Sequence, residues 1–356
     1  MTTLLPRSWY LDADHYQLEM AAVFGRAWLP VAHGRDLAEA GSYLATTVGG
    51  HDIFLVRGRD GEIRGFHNVC QHRAHRLLDG SGQLKNTIVC PYHAWTYDLD
   101  GALRGAPRAD DTGAFDPSCF GLEPVRTALF AGFITVCFDA DAGQPPSNLQ
   151  DIERLLIHDH PRLPAMGEVR RREAVIDANW KTIIENYLEC YHCNVAHPSF
   201  GNFDLSTWKH LVGDGWSRQG RVAPGLDDHH IGHGDIVGLS AWWQWPNILW
   251  ARASEADTFV AVFHEPLGPG RTRQTRLVYA ASRQEDAALE AFNELFDKVF
   301  KEDVAIVENV QRGLASPGYR GGTLMEQPAA RAGWSEHGVH HFQDLVRAAV
   351  GNSAAV

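Results

Sequence analysis

The sequence predicts an α+β protein in which a small all-β module precedes a larger domain of mixed helices and strands. Short β-like runs alternate with turn signals such as Arg59, Asp60 and Gly61 up to about residue 138. The stretch 139–147 is rich in Asp, Gly and Pro, which is typical of a linker. Beyond it, segments of helical period and segments of alternating period follow one another.

Length and composition place the chain among globular proteins of about two domains. It has 356 residues, of which 44% are hydrophobic and 21% charged, and this composition excludes an intrinsically disordered chain. Acidic residues outnumber basic ones by 44 to 32, giving a net charge of -12, whereas a nucleic-acid binder needs a basic surface. The sequence contains neither an apolar run of membrane-spanning length nor a secretory signal pattern, so we expect a cytoplasmic protein.

The predicted elements give three segments. Residues 1–40 are predicted to form a helical lead-in, because apolar residues recur there at helical spacing. Residues 41–145 form the all-β module, and residues 146–356 form the second domain. Within the second domain we expect a helix near 179–195, strands near 240–282 and a long helix near 284–314.

Two cysteines and two histidines form the first metal-binding pattern. Cys70 and His72 are separated by 17 residues from Cys90, which is followed by His93. Such a set could bind zinc, or a [2Fe–2S] cluster with two Cys on one iron and two His on the other. Each half supplies one Cys and one His, so each loop can give one ligand to each iron, and this favours the cluster. Because nothing indicates export, we do not expect a disulfide framework among the six cysteines.

A second pattern contains histidines and carboxylates around the end of the predicted helix near 179–195. Glu189 and His192 fall on one helical face with Glu185, whereas a regular helix would turn His197 away by about 140°. The helix must therefore end or bulge before His197. Two imidazoles with a nearby carboxylate are typical of a 2-His-1-carboxylate iron site.

The third ligand is expected from the long helix. Its apolar residues step by three and four, and Asp303 lies between Val299 and Ile306 on that stripe. A carboxylate on a buried face is costly unless it is paired or binds a metal. Asp303 is therefore a candidate iron ligand, with an ion pair as the alternative.

The two motifs, CQHRAH…CPYHAWTYDLDGAL and NWKTIIENYLECYHCNVAHP, resemble the oxygenase (alpha) component of Rieske non-heme iron oxygenases over nearly the whole chain. The resemblance implies an N-terminal Rieske [2Fe–2S] domain and a C-terminal catalytic domain with an antiparallel sheet flanked by helices, of the helix-grip type. The ENYLECYHC segment resembles the branch that acts on carnitine, choline, glycine betaine and proline betaine. The segments FKEDVAIVENVQRGLASPGYRGG and WSEHGVHHFQDLV resemble most the members that act on carnitine.

The resemblance also implies the role of each site residue. The cluster ligands would be Cys70, His72, Cys90 and His93, and the mononuclear iron ligands would be His192, His197 and Asp303. Glu189 occupies the position of an Asp in many family members, and it would link an iron histidine to a cluster histidine of a neighbouring subunit. A head-to-tail homotrimer is therefore implied.

The implied reaction uses O2 and electrons that a separate flavin- and iron–sulfur-containing reductase draws from NADH. Cleavage of a C–N bond in a carnitine-like substrate would release trimethylamine. The alternatives are N-demethylation of glycine betaine or proline betaine, choline oxidation, and a Rieske oxygenase acting on an aromatic substrate. An electron carrier with the cluster alone is a further alternative, which the presence of the second metal pattern disfavours.

A trimethylammonium group has no N–H to donate, so its recognition should use cation–π contacts. The aromatic residues that we propose for such contacts are Trp243, Trp245, Tyr187 and Tyr191. Packing in the core or at a subunit interface is the alternative for each of the tryptophans.

Overall fold

Two adjacent prolines, Pro145 and Pro146, mark the main division of the chain. Residues Gly25–Pro145 form one unit, here called the β unit, and Met1–Phe24 with Pro146–Val356 form the other, here called the helix–sheet unit. The computed structural model describes residues 4–113, 115–200, 204–222, 236–253, 258–281, 287–327 and 331–353. No helix within these ranges combines the length and the apolar character needed to cross a membrane.

The β unit consists of two antiparallel sheets. A seven-stranded sheet has the order β1-β10-β9-β4-β3-β2-β5, and a three-stranded sheet has the order β6-β7-β8. The strands are β1 (Leu29–His33), β2 (Ser42–Val48), β3 (His51–Arg57), β4 (Ile63–His67), β5 (Ser81–Gln83), β6 (Thr87–Val89), β7 (Thr96–Asp98), β8 (Leu103–Gly105), β9 (Pro124–Phe130) and β10 (Phe133–Cys137). One-turn 3₁₀ helices lie at Gly34–Leu37, Ala109–Thr112 and Pro117–Phe120.

Local sequence explains both the turns and the core of the β unit. Gly49 and Gly50 join β2 to β3 with φ of 57° and 80°, a backbone that suits a tight hairpin and that glycine adopts without strain. Inward-facing residues such as Phe54 and Tyr97 are fully buried. They belong to one hydrophobic cluster that also contains Cys70 and Cys90, so the first candidate site is anchored in the core of this unit.

The helix–sheet unit contains a seven-stranded antiparallel sheet with helices. Its strand order is β11-β17-β16-β15-β14-β13-β12, so β12 to β17 form a meander and β11 is added beside β17. The strands are β11 (Gly167–Ile176), β12 (Trp208–Gly213), β13 (Trp216–Val222), β14 (Ile236–Gln244), β15 (Ile248–Ala253), β16 (Thr258–Gly268) and β17 (Arg271–Ala280). The α-helices are α1 (Ala13–Glu19), α2 (Ser147–Asp159), α3 (Trp180–Tyr187), α4 (Cys193–Ala196), α5 (Ala287–Ala315) and α6 (His337–Ser353). Short helical turns lie at Arg7–Tyr10, Met20–Phe24, Leu163–Ala165 and Pro198–Phe200.

Helices α3, α5 and α6 pack together through apolar contacts. Ile183 of α3 and Val307 of α5 belong to one buried cluster. Trp180 of α3 meets Phe342 of α6 edge-on, with 5.5 Å between ring centroids. Trp243 of β14 also packs on Phe342, at 5.6 Å. These contacts confirm the predicted α+β class, with helices on an antiparallel sheet.

The first 40 residues divide between the two units instead of forming one helical segment. The helical part ends at Phe24, and Leu29–His33 is a strand that pairs with β10. Four of the five residues in this strand are buried, which suits a strand covered on both faces better than an exposed helix.

A buried ion pair holds the N-terminal segment against α3. Nζ of Lys181 lies 2.6 Å from Oε1 of Glu19, and both side chains are fully buried. The indole N–H of Trp180 donates to the other oxygen of Glu19 at 2.9 Å. Asn179 caps α3 by accepting a hydrogen bond from the backbone amide of Lys181. The helix that leads into the second candidate site is thereby fixed at its start.

Candidate metal centres

Two loops of the β unit carry the first candidate site, and they share one backbone geometry. One loop follows β4 and begins at Cys70, and the other follows β6 and begins at Cys90. In each loop the amide of an alanine, Ala74 or Ala94, donates to the cysteine carbonyl at 3.0 Å. Both alanines have positive φ, 55° and 59°, a conformation that residues other than glycine rarely adopt. The two loops are therefore matching turns, each presenting one Cys and one His.

The four predicted cluster ligands converge. Cys70 and Cys90 are each 2% exposed. The rings of His72 and His93 lie 4.7 Å apart, with 73° between their planes. The hydroxyl of Tyr97 lies 3.2 Å from Sγ of Cys70, so it can donate a hydrogen bond to a sulfur ligand. Tyr97, in β7, lies within the CPYHAWTYDLDGAL motif but is not among the residues that the sequence predicts for the site.

The donor set fits a cluster with inner sulfur and outer histidine ligands. Burial raises the pKa of the Cys70 thiol, and the neighbouring Cys90 sulfur raises it further, so two thiolates here need a positively charged partner. Nδ1 of His93 is buried, and within the described ranges no hydrogen-bonding group contacts it. A nitrogen of this kind is what a metal ligand must offer. The set suits a [2Fe–2S] cluster of the Rieske type, and the same four side chains could bind zinc.

The second candidate site begins where α3 ends, which is earlier than predicted. The sequence predicts a helix near 179–195, but α3 ends at Tyr187 and α4 begins at Cys193. In the break, the Glu189 carboxylate accepts hydrogen bonds from two backbone amides, including that of His192 at 3.2 Å. Such side-chain acceptors compete with helical hydrogen bonds. Glu189 and His192 consequently lie outside the continuous helical face predicted for them.

Three side chains distant in sequence converge at this site. Nε2 of His192 lies 3.2 Å from Nε2 of His197. Oδ1 of Asp303, on α5, lies 3.2 Å from Nε2 of His197 and 3.7 Å from Nε2 of His192. Asn186 of α3 donates a hydrogen bond to the same oxygen of Asp303 at 2.8 Å. The structure therefore brings the three predicted iron ligands together.

A second carboxylate group lies behind each imidazole. Oε1 of Glu189 is 2.5 Å from Nδ1 of His192, and Oε2 of Glu302 is 3.0 Å from Nδ1 of His197. The hydroxyl of Ser199 donates to the other oxygen of Glu302 at 2.7 Å. Glu302 is not among the residues that the sequence predicts for the site. The signal available was its position beside a predicted ligand.

The protonation pattern of the two imidazoles suits a bound cation. Since the carboxylates accept, each Nδ1 donates a proton, and each Nε2 then carries a lone pair. Two lone pairs that face each other at 3.2 Å repel unless a cation lies beside them. Although burial opposes it, Asp303 and Glu302 raise the pKa of His197, so these surroundings favour a positive charge on Nε2, which a proton or a metal ion can supply. Two imidazoles and one carboxylate fit a mononuclear iron site.

The cysteines on either side of His192 are paired with each other. Cys190 and Cys193 form a disulfide between residues only three apart. The sequence argues against a disulfide framework and does not predict this local bridge. A ligand atom of Cys193 lies within 4.8 Å of those of His192 and His197. In the disulfide form its sulfur is not available as a thiolate ligand.

The four aromatic candidates for substrate binding do not form one group. Trp243 is fully buried, its N–H donates to the carbonyl of Pro246 at 3.1 Å, and its ring meets that of Trp245 at 6.3 Å. Tyr187 is half-buried, and its hydroxyl approaches backbone carbonyls of β14 and β15 at 3.4–3.5 Å. Tyr191 is 55% exposed, with its ring 6.2 Å from that of Trp334.

Two family models cover most of the chain. The Rieske [2Fe-2S] domain matches residues 27–119, and the ring hydroxylating alpha subunit (catalytic domain) matches residues 163–352. The first match includes all four predicted cluster ligands. The second match includes the three predicted iron ligands and Glu189.

Known proteins resemble the chain over nearly its full length. The carnitine monooxygenase oxygenase subunit of Escherichia coli (strain K12) is 34% identical over 96% of this chain and 92% of the relative. The chloroplastic choline monooxygenase of Atriplex hortensis is 31% identical over 95% of this chain and 76% of the relative. A crystal structure of the quaternary ammonium Rieske monooxygenase CntA with substrate L-carnitine has a TM-score of 0.87 and 32% identity, covering 98% of this chain and 96% of that one. The chain therefore belongs to the oxygenase (alpha) subunits of the Rieske non-heme iron monooxygenases, in the branch that contains the quaternary ammonium enzymes.

Proposed function

We propose that this protein is the oxygenase component of a two-component monooxygenase that cleaves a C–N bond of a carnitine-like quaternary ammonium substrate and releases trimethylamine. The observation that carries the proposal is the presence of both ligand sets in one chain whose curated relative at 34% identity is a carnitine monooxygenase subunit. Choline oxidation is the second candidate, because the choline monooxygenases are similar over 95% of the chain.

The residues proposed as ligands divide the chemistry between the two units. Cys70, His72, Cys90 and His93 would hold the [2Fe–2S] cluster, and His192, His197 and Asp303 would hold the iron. When bound, the two groups would supply one-electron transfer and the activation of O2 beside a substrate C–H bond. Electrons would come from NADH through a separate flavin- and iron–sulfur-containing reductase.

Glu189 is proposed to connect the two kinds of site across a subunit boundary. One of its oxygens contacts Nδ1 of His192, so its carboxylate orients an iron ligand directly. In a head-to-tail homotrimer, as we propose, the same carboxylate would also accept a hydrogen bond from a cluster histidine of the neighbouring subunit. Loss of Glu189 would then interrupt electron transfer without removing either metal.

Substrate recognition is proposed to use aromatic rings that flank the His192 segment. Tyr187 and Tyr191 stand on either side of Glu189 in sequence, and an aromatic face attracts a trimethylammonium group. Trp243 and Trp245 have the contacts of core residues, since both pack on Phe342 of α6. We propose a packing role for these two tryptophans.

Aerobic turnover of the iron-loaded protein with a competent reductase and NADH tests the proposal. The substrates are carnitine, γ-butyrobetaine, choline, glycine betaine and proline betaine, with amines and aldehydes measured by mass spectrometry. We expect trimethylamine from carnitine, and none from the Asp303→Asn variant. Formaldehyde from a betaine would instead identify a demethylase, and betaine aldehyde from choline would identify the second candidate. No product from any of them, with both metals present, would overturn the substrate class.

A further inference from the structure

Glu302 contacts the outer nitrogen of an imidazole whose inner nitrogen faces the candidate iron site. Nε2 of His197 points to Asp303 and His192, whereas Nδ1 points to Oε2 of Glu302 at 3.0 Å. The ring is 3% exposed, so it has little freedom to exchange these partners for water.

The Glu302 carboxylate is itself held in place. Ser199 donates a hydrogen bond to Oε1 at 2.7 Å, and this leaves Oε2 to accept from His197. A carboxylate accepts hydrogen bonds, so its contact with Nδ1 of His197 requires a proton on that nitrogen.

We propose that Glu302 is a positioning residue that fixes the Nδ1–H tautomer and the ring orientation of His197, so that the lone pair of Nε2 faces the iron site. This inference rests on the proposed assignment of His197 as an iron ligand. Carboxylates behind metal-bound histidines set ligand orientation and basicity, and their loss lowers metal affinity by about 10–100-fold. We propose no role for Glu302 in electron transfer, in contrast to Glu189, because the contacts of Glu302 are with His197 and Ser199.

The Glu302→Gln variant separates this role from a merely structural one. Glutamine keeps the size of the side chain but can present an N–H to Nδ1, which favours the opposite tautomer. We expect Fe(II) affinity, measured by competition with a chelator, to fall about 10–100-fold. The electron paramagnetic resonance spectrum of the nitric oxide adduct of the mononuclear iron should also change. The signal of the reduced Rieske cluster in the same sample should not change.

Two further variants control the experiment. Glu294→Gln makes the same change at an exposed position on α5 and should behave like the wild type. Ser199→Ala keeps the Glu302 carboxylate but removes the hydrogen bond that Ser199 donates to it, and should give an intermediate loss of Fe(II) affinity. This variant tests the proposal even if Glu302→Gln does not fold. Wild-type affinity and an unchanged nitrosyl spectrum in Glu302→Gln would overturn the proposal. An unchanged spectrum in His197→Ala would overturn the ligand assignment beneath it, whereas failure to turn over carnitine would overturn only the substrate class.

Discussion

The Nε2 atoms of His192 and His197 face each other at 3.2 Å, while each ring turns its Nδ1 to a carboxylate. This arrangement leaves two lone pairs pointing into the same small volume, next to Asp303. A cation at this position would convert a repulsive contact into two bonds. The relationship between the two rings therefore supports a metal site more strongly than their spacing in the sequence does.

Replacing Glu189 tests the proposed connection between the sites. We expect Glu189→Ala, loaded with both metals, to lose most of its turnover, by about 10–100-fold, because electrons no longer reach the iron efficiently. Metal analysis and steady-state turnover check this. Wild-type turnover in Glu189→Ala would show that this carboxylate does not connect the sites.

Removing the Tyr97 hydroxyl should lower the reduction potential of the Rieske cluster. The hydroxyl lies 3.2 Å from Sγ of Cys70, and a hydrogen bond to a sulfur ligand stabilises the reduced, more negative cluster. Spectroelectrochemical titration of Tyr97→Phe checks the direction, with Tyr92→Phe, an exposed tyrosine of the neighbouring loop, as the control. A potential equal to that of the wild type would mean that the hydroxyl does not donate to this sulfur.

Breaking the buried pair of Glu19 and Lys181 should destabilise the helix–sheet unit. Removing one partner leaves an uncompensated buried charge, so we expect Glu19→Gln to lose about 3–5 kcal/mol of unfolding free energy. Asp151→Asn, which breaks an exposed ion pair with Arg154, should cost at most about 1 kcal/mol. Denaturant unfolding compares the two variants. Equal losses of unfolding free energy in the two variants would show that the buried Glu19–Lys181 pair does not hold the N-terminal segment against α3.

Glu185 should give stability a specific dependence on pH. Burial raises the pKa of its carboxyl to about 7, against a usual value of 4.5, although Tyr10 and Gln343 donate hydrogen bonds to it. The folded state therefore keeps a proton that the unfolded chain has already lost, and stability falls as the pH rises from about 4.5 to 7. Over this window the loss amounts to about 3 kcal/mol.

The Glu185→Gln variant isolates this effect, because glutamine does not titrate. We expect the stability of Glu185→Gln, compared with that of the wild type at the same pH, to be more favourable at pH 8 than at pH 5. The unfolding midpoints of both proteins at each pH measure this difference. A difference that is the same at both pH values would show that Glu185 does not keep its proton in the folded state.

Metal chemistry explains why the sequence could propose ligand residues that the structure brings close together. Few residue types bind iron, so the spacing of Cys and His restricts the possible sites strongly. Asp303 was identified because it lies among the apolar residues of a predicted helical face. The face of α5 that is buried in the structure differs from this predicted face. Val307 is buried, whereas Val299 and Ile306 of the predicted stripe are only half-buried.

The remaining features depend on contacts that the sequence does not display. The helix break at Glu189 arises because a side chain captures backbone amides, and helical periodicity contains no sign of this. The contact between Glu302 and His197 requires α5 to lie beside the segment after α4, which is a tertiary relationship. The strand Leu29–His33 is short and apolar, so the spacing of its apolar residues alone does not distinguish it from a segment of a buried helix.

The most direct test of the central claim, that one chain holds two separate iron sites, is electron paramagnetic resonance of the reduced protein with nitric oxide. We predict a Rieske signal and a nitrosyl signal in the wild type. Asp303→Asn should lose only the nitrosyl signal, and Cys90→Ser should lose only the Rieske signal. Loss of both signals in either variant, with the fold intact, or retention of the nitrosyl signal in Asp303→Asn, would contradict the account.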